Sequence, residues 1–272
     1  MPYVHGYSAR ESQRLREQSE ILENILHSGT NYPAGAKILE AGCGVGAQTR
    51  LLLKRNPGIQ LTSIDISDES LAKAGRLIEE EGFDNVIFKR DNILDLSFED
   101  QIFDHVFICF VLEHLSHPLK GLFEAKRVVK SGGTVTVIEG DHGSCFWTPE
   151  TKESKYVWNS LIRAQKALGH DPNIGRRLYP LLNQAGLKIE YVKPCWIYTD
   201  FSDPELAEGM VNKIITPMVN ASKAIALKDG LVDQKTWDIG FFELSQSGRI
   251  PEGTFFYTWF KGVGMVDEAG KG

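Results

Sequence analysis

The chain reads as an α/β fold, a mostly parallel sheet with helices on both faces. Three observations lead there. Short apolar runs alternate with stretches of helical periodicity from residue 36 to about 140. The connections between runs are long enough to carry a helix, which parallel neighbours require. Three glycines, Gly42, Gly44 and Gly46, separate the first apolar run from the helix after it.

The elements follow in order. Ser8-Ala9-Arg10-Glu11 is a capping box that opens a helix, with Leu15, Leu22, Ile25 and Leu26 on one face. That helix ends near His27, and residues 29 to 35 form a loop. Strand one is Lys37 to Ala41, and a helix runs on to about Arg55. Strand two is Gln60 to Ile66; Ser67 then caps a helix that stops at Gly82. Strand three is Val86 to Lys89 and strand four is Asp104 to Phe110. A helix from Leu119 to Val129 leads through Ser131-Gly132-Gly133 into strand five, Thr134 to Glu139. The pattern then changes. Residues 150 to 185 are mainly helical, Leu187 to Val192 is a strand, and 203 to 247 is a polar, helical insert. Thr254 to Val263 is a last aromatic strand, with Phe255, Tyr257 and Trp259 on one face and Phe256 and Phe260 on the other.

The totals narrow the function. The 272 residues are 42% hydrophobic with a net charge of −6, enough apolar content for a packed core. No basic stripe is present to meet phosphates, so nucleic acid is not an expected partner. Cys43, Cys109, Cys145 and Cys195 lie far apart, which indicates neither a zinc site nor a disulfide framework. Charges occupy the N-terminal segment and no run reaches ~18 apolar residues. A soluble, cytoplasmic protein without metal or membrane partner is expected.

The glycine turn carries the chemistry. Glycines there let backbone approach a ligand, and the next helix points free N–H groups at it. Glu40, two residues earlier, would repel a pyrophosphate but suits a cationic ligand. The cation most often received by such a strand–turn–helix is S-adenosylmethionine, with its sulfonium and α-amino group. Gly42-x-Gly44-x-x-Ala47 also fits the loose dinucleotide fingerprint, so an NAD(P)-dependent oxidoreductase is an alternative. A cofactor-binding regulator without turnover is another.

Five segments then carry a resemblance: Glu40 to Gly46, Ser63 to Ser67, Arg90 to Ile93, Phe110 to Leu115, and Arg127 to Gly133. Over about residues 36 to 140 the chain resembles the class I S-adenosylmethionine-dependent methyltransferases. The opening Tyr3-Val-His-Gly-Tyr-Ser8 is similar to a narrower subgroup of uncharacterised prokaryotic methyltransferases and fungal thiol methyltransferases. The resemblance implies a Rossmann-like seven-stranded sheet in one domain, 1–272. Residues 1–35 would form a lid helix, 36–140 the cofactor core, and 141–272 the substrate side. It implies S-adenosyl-L-methionine as cofactor and a small-molecule methyl acceptor.

The resemblance also assigns residues. Gly42 and Gly44 would line the methionine part, and Glu40 would accept from its amino group. Asp65 would accept from both ribose hydroxyls and Ile66 would pack on adenine. Asp91 would accept from the adenine amino group, with Asn92 and Ile93 beside it. The Cys109 or Phe110 carbonyl would meet the methionine amino group. Tyr7 and Arg14 would belong to the lid, Arg14 gripping the cofactor carboxylate. Asp141 and His142, after strand five, are the candidates to hold or deprotonate the acceptor. Trp147, Trp196, Tyr198 and Trp259 are candidate walls of an apolar pocket, and the helical insert a cap over it.

Overall fold

A computed structural model describes residues 9–267. Ser8, Tyr3 and Tyr7 lie outside them. The strands are β1 (Lys37–Ala41), β2 (Gln60–Asp65), β3 (Val86–Arg90), β4 (Phe103–Cys109), β5 (Val129–Gly140), β6 (Phe146–Thr148), β7 (Lys188–Thr199) and β8 (Thr254–Met265). The helices are α1 (Ala9–Leu26), α2 (Ala47–Arg55), α3 (Asp68–Glu80), α4 (Pro118–Val128), α5 (Lys152–Ala167), α6 (Leu178–Gln184), α7 (Pro204–Glu208), α8 (Thr216–Ala221), α9 (Lys223–Lys228) and α10 (Gln234–Gln246). None of them is long and apolar enough to cross a membrane.

One sheet runs in the order β3-β2-β1-β4-β5-β8-β6, with β7 paired to β8. The neighbours from β3 to β5 are parallel, whereas β8 lies antiparallel to β5 and β6. The expected α/β class holds, and the strand beyond the expected seven is β6. Its three residues are too few for alternation to register. β5 also starts earlier than expected, at Val129, straight off α4. Its pairing with β4 is irregular between Phe103 and His105, so Ser131 to Gly133 is a distortion inside a strand rather than a turn before one. β7 continues to Thr199 through Pro194, a residue that an interior strand would not tolerate but an edge strand does.

The chain divides into two compact units. One holds residues 26–140, 174–194 and 259–267. Its core is the apolar filling between β1, β2, β4 and β5 and the helices α4 and α6: Leu39, Ile64, Val106, Ile108 and Val137 pack with Leu122, Ala125, Leu178 and Leu182. Burial near zero at these side chains comes from strands covered on their apolar faces, which is why they read as near-continuous hydrophobic runs. The C-terminal end of α1 is tied into this unit. Lys261 on β8 is fully buried, and its Nζ donates to the carbonyls of Leu26 (3.1 Å) and Ser28 (2.8 Å) and to Thr30 Oγ1 (2.5 Å). A lysine at a helix C-terminus satisfies carbonyls that the helix leaves open.

The other unit holds residues 9–25, 141–173 and 195–258. It contains the insert, which resolves into α7, a π-helical stretch Gly209–Ile215, and α8 to α10. Met210, Ile214, Ile215 and Met218, spaced as for a helix face, are all buried. Trp147, whose Nε1 donates to Ser154 Oγ, is buried, while Trp196 and Tyr198 are about half exposed. Trp259, at 3% exposed, belongs to the first unit.

Candidate cofactor and acceptor sites

The order of the sheet reverses at β1, between β2 and β4, and ligands of open α/β sheets bind at the carboxyl ends of strands around such a point. The glycine turn lies there. The Gly42 and Cys43 amides both donate to the Ile64 carbonyl, at 2.8 and 2.9 Å. A Cβ on Gly42 would stand 2.5 Å from Val111 Cγ2, so the turn is pressed against the segment after β4. Gly44 differs: its φ is +53° and no atom lies within 4 Å of where a Cβ would be. Its face is an open cradle.

Asp65 closes one side of this cradle. Its Oδ2 accepts from the Gly44 amide and its Oδ1 from the Ser67 amide, each at 2.9 Å. Burial pushes its pKa up and the amides of Ser67, Gly44 and Ile66 pull it back. Each carboxylate oxygen keeps a lone pair for a ribose hydroxyl. Ile66, the next residue, is 51% exposed, an apolar surface beside a carboxylate. That pairing of apolar face and acid fits an adenosine.

Beneath the turn, Glu40 is almost fully buried. Its Oε2 accepts from Thr49 Oγ1 at 2.6 Å and Ser63 Oγ at 2.7 Å. Burial raises its pKa to about 7, against the lowering by those two hydroxyls. The carboxyl is thus poised to gain full charge when a cation approaches. Thr49 and Ser63 are partners that spacing did not single out, since they lie on α2 and β2 and meet Glu40 only in three dimensions.

After β3, Asp91 serves its own loop. Its oxygens accept from the Asn92 amide (2.8 Å) and from Ser97 Oγ (2.6 Å), and Lys89 Nζ stands 3.6 Å away. Asn92 Oδ1 accepts from the Leu94 amide in a local turn. Ile93 has its side chain in the apolar core, so only its backbone remains for an adenine edge.

After β4, Cys109 is buried and burial pushes its thiol pKa well up. Phe110 then takes a left-handed conformation, φ +59°. For a bulky side chain this is an outlier, stored strain of about 1–3 kcal/mol. The next two amides, Val111 and Leu112, donate to one oxygen, Glu139 Oε1, at 3.0 and 2.7 Å. Glu139, fully buried at the end of β5, was not singled out from sequence as a site residue; the contact spans 28 and 27 residues.

In the other unit, Asp141 and His142 are both buried. His142 Nδ1 meets the Tyr257 hydroxyl at 2.5 Å, and its ring stands edge-on to Trp158 and Tyr257. Its backbone is fixed too: the amide donates to the Pro172 carbonyl, and its own carbonyl accepts from Trp158 Nε1. Tyr257 looked like one of several core aromatics on a strand; only the fold reveals it as the imidazole's partner. Arg14 holds a two-point pair with Glu11, 2.8 and 2.6 Å, and donates to Gln18 at 2.6 Å. The fork expected to grip a cofactor carboxylate is filled from its own helix. The i, i+3 spacing of Glu11 and Arg14 already carried that signal.

A glycine turn at the switch point, a strand-two acid and an open cradle define a cofactor-binding domain of the nucleotide type. Residues 39–137 match the family model described as a methyltransferase domain. A demethylmenaquinone methyltransferase of Tropheryma whipplei is 34% identical over 139 residues, 51% of this chain and 55% of that protein. An uncharacterized methyltransferase of Schizosaccharomyces pombe is 34% identical over 148 residues, 52% of this chain and 53% of that one. The chain thus spans about half the length of the curated relatives it matches. Among solved structures, a Haemonchus contortus phosphoethanolamine N-methyltransferase in complex with S-adenosylhomocysteine superposes with a TM-score of 0.57 at 16% identity, covering 93% of this chain and 57% of that one. At that identity the likeness concerns the fold. The residues present fit S-adenosylmethionine on their own chemistry: a carboxyl under the turn for a cation, an open glycine face, and an acid beside an exposed apolar side chain.

Proposed function

We propose that the chain transfers a methyl group from S-adenosylmethionine to a small-molecule acceptor. The observation that carries this reading is the buried Glu40 carboxyl under the open face of Gly44, with Asp65 at the next strand end. A pyrophosphate would meet a carboxyl there; an α-amino group and a sulfonium are welcome.

When bound, S-adenosylmethionine supplies a methyl already activated by its sulfonium. The chain's residues orient and exclude water. Gly42 and Gly44 offer backbone without a Cβ to the methionine part, and Glu40 draws its amino group. Asp65 takes the ribose hydroxyls and Ile66 covers one adenine face. Asp91 and the backbone of Asn92 and Ile93 frame the adenine edge. The carbonyls of Cys109 and Phe110 face the methionine end. Alignment of this kind contributes up to ~7–11 kcal/mol at its best.

On the acceptor side, His142 takes the proton of the nucleophile or orients it, with Asp141 next to it in the chain. The Tyr257 hydroxyl on Nδ1 fixes the orientation of the imidazole. The acidic net charge argues against nucleic acid as substrate. One of the matched relatives is named for a small molecule, demethylmenaquinone. A cytoplasmic setting fits cysteines that form no disulfide among the described residues.

The test is methyl transfer from labelled S-adenosylmethionine to a panel of thiols, phenols and amines, beside protein and RNA. Label in at least one small molecule is the expected result. Label in protein or RNA alone defeats the substrate class.

A further inference from the structure

Glu139 is a buried acid that the proposed transfer leaves without a task, and its geometry assigns it one. β4 ends at Cys109, and the chain must leave the sheet through the left-handed Phe110. That turn is strained, so something must hold it. Two anchors do. The Phe110 amide donates to the Ile138 carbonyl at 2.9 Å. The Val111 and Leu112 amides converge on Glu139 Oε1, capping the 3-10 turn Leu112–His114. A single acceptor thereby fixes two consecutive N–H groups at the start of a helical turn, a role a carboxylate performs well.

The consequence reaches the glycine turn. Val111 is the residue whose methyls fill the space above Gly42. A shift of the Val111 backbone therefore moves the wall against which Gly42 rests. Gly42, Glu40 and the Cys109–Phe110 carbonyls together make the methionine end of the cofactor cleft, while the adenosine end is built from Asp65, Ile66 and Asp91. Glu139 touches the first group's support and none of the second.

We propose that Glu139 is a positioning residue for the methionine end of the cleft, acting through the Val111–Leu112 amides. This rests on the S-adenosylmethionine reading above. Burial and the nearby Glu113 carboxylate push the Glu139 pKa well above its ordinary range. Its second oxygen, Oε2, is enclosed with no hydrogen-bond partner among the described residues. An amide of the same length keeps the one oxygen that accepts from both the Val111 and Leu112 amides, so Glu139→Gln should preserve the clamp.

Two ligands separate the two ends. S-adenosylhomocysteine has both an adenosine and an amino-acid part; 5′-methylthioadenosine lacks the amino-acid part. In Glu139→Leu, S-adenosylhomocysteine affinity should fall about 10–100-fold while methylthioadenosine affinity stays within about twofold. Glu139→Gln should restore the wild-type ratio. Equal loss of both ligands, or no loss of either, overturns the assignment while leaving the cofactor reading intact. Wild-type protein that binds neither ligand overturns both. Should Glu139→Leu fail to fold, hydrogen exchange in the wild type decides. The Val111 and Leu112 amides should be protected without any ligand, and exchange at the rate of an open loop contradicts the clamp.

Discussion

Glu40 should make cofactor binding depend on pH in a way that one substitution removes. In the free protein its carboxyl titrates at about 7. A bound α-ammonium favours the carboxylate, so the free protein must first give up a proton at lower pH. About one molecule in eleven is ionised at pH 6 and about ten in eleven at pH 8. Affinity should rise about tenfold between those values. Glu40→Gln keeps an oxygen for Thr49 and Ser63 but has no proton to lose, so its affinity should lack that rise. S-adenosylhomocysteine is the ligand of choice, because its own amino group titrates identically in both proteins and cancels in the comparison. Asp65, also raised, is common to both as well. Stability without ligand should run the opposite way. The folded carboxyl holds its proton up to about 7, whereas an ordinary glutamate gives it up at 4.5. The folded state thus binds more protons between these values, and the contribution is present in full below 4.5 and lost as pH rises through 7. The loss is at most about 3 kcal/mol. Calorimetric titrations and thermal melts from pH 5.5 to about 8.5 read both slopes. Identical pH slopes in wild type and Glu40→Gln would refute the reasoning.

Three further outcomes follow from the geometry. Gly42→Ala should lower stability by about 1–3 kcal/mol, because a Cβ meets Val111 at a φ of +79°, whereas Gly44→Ala, opening on empty space, should cost less stability yet abolish measurable cofactor binding; melts and titrations on the pair separate the two. Asp65→Ala should weaken S-adenosylhomocysteine about 10–100-fold by calorimetry, since both ribose contacts and the Gly44 and Ser67 amide bonds go with it, and an unchanged affinity would put the ribose elsewhere. His142→Ala should cut methyl transfer while leaving cofactor affinity within about threefold, and Tyr257→Phe should reproduce part of that loss; normal turnover in His142→Ala would remove it from the acceptor side.

The half of the fold built by alternation was legible because parallel strands buried on both faces are unbroken apolar runs, and Ser67 caps α3 as its sequence said. β6 and the early start of β5 were not legible, since both arise from pairing across the sheet and not from any local period. The cofactor cradle was visible in its acids and glycines, whose spacing is local to one strand–turn–helix. Its supports were not. Thr49, Ser63 and Glu139 are ordinary polar residues until the fold brings them to Glu40 and to the segment after β4. Arg14 pairs with Glu11, a partner three residues away that the sequence itself displays. Ile93 is a motif residue whose apolar side chain lies in the core.

The central claim is that the cleft around Gly44 receives an adenosyl–sulfur cofactor and not a dinucleotide. Parallel calorimetric titrations of the full chain with S-adenosylhomocysteine and with NAD test it most directly. The account requires one-to-one binding of S-adenosylhomocysteine, lost in Gly44→Ala, and no measurable heat with NAD. Saturable NAD binding at this turn, with none for S-adenosylhomocysteine, would contradict it.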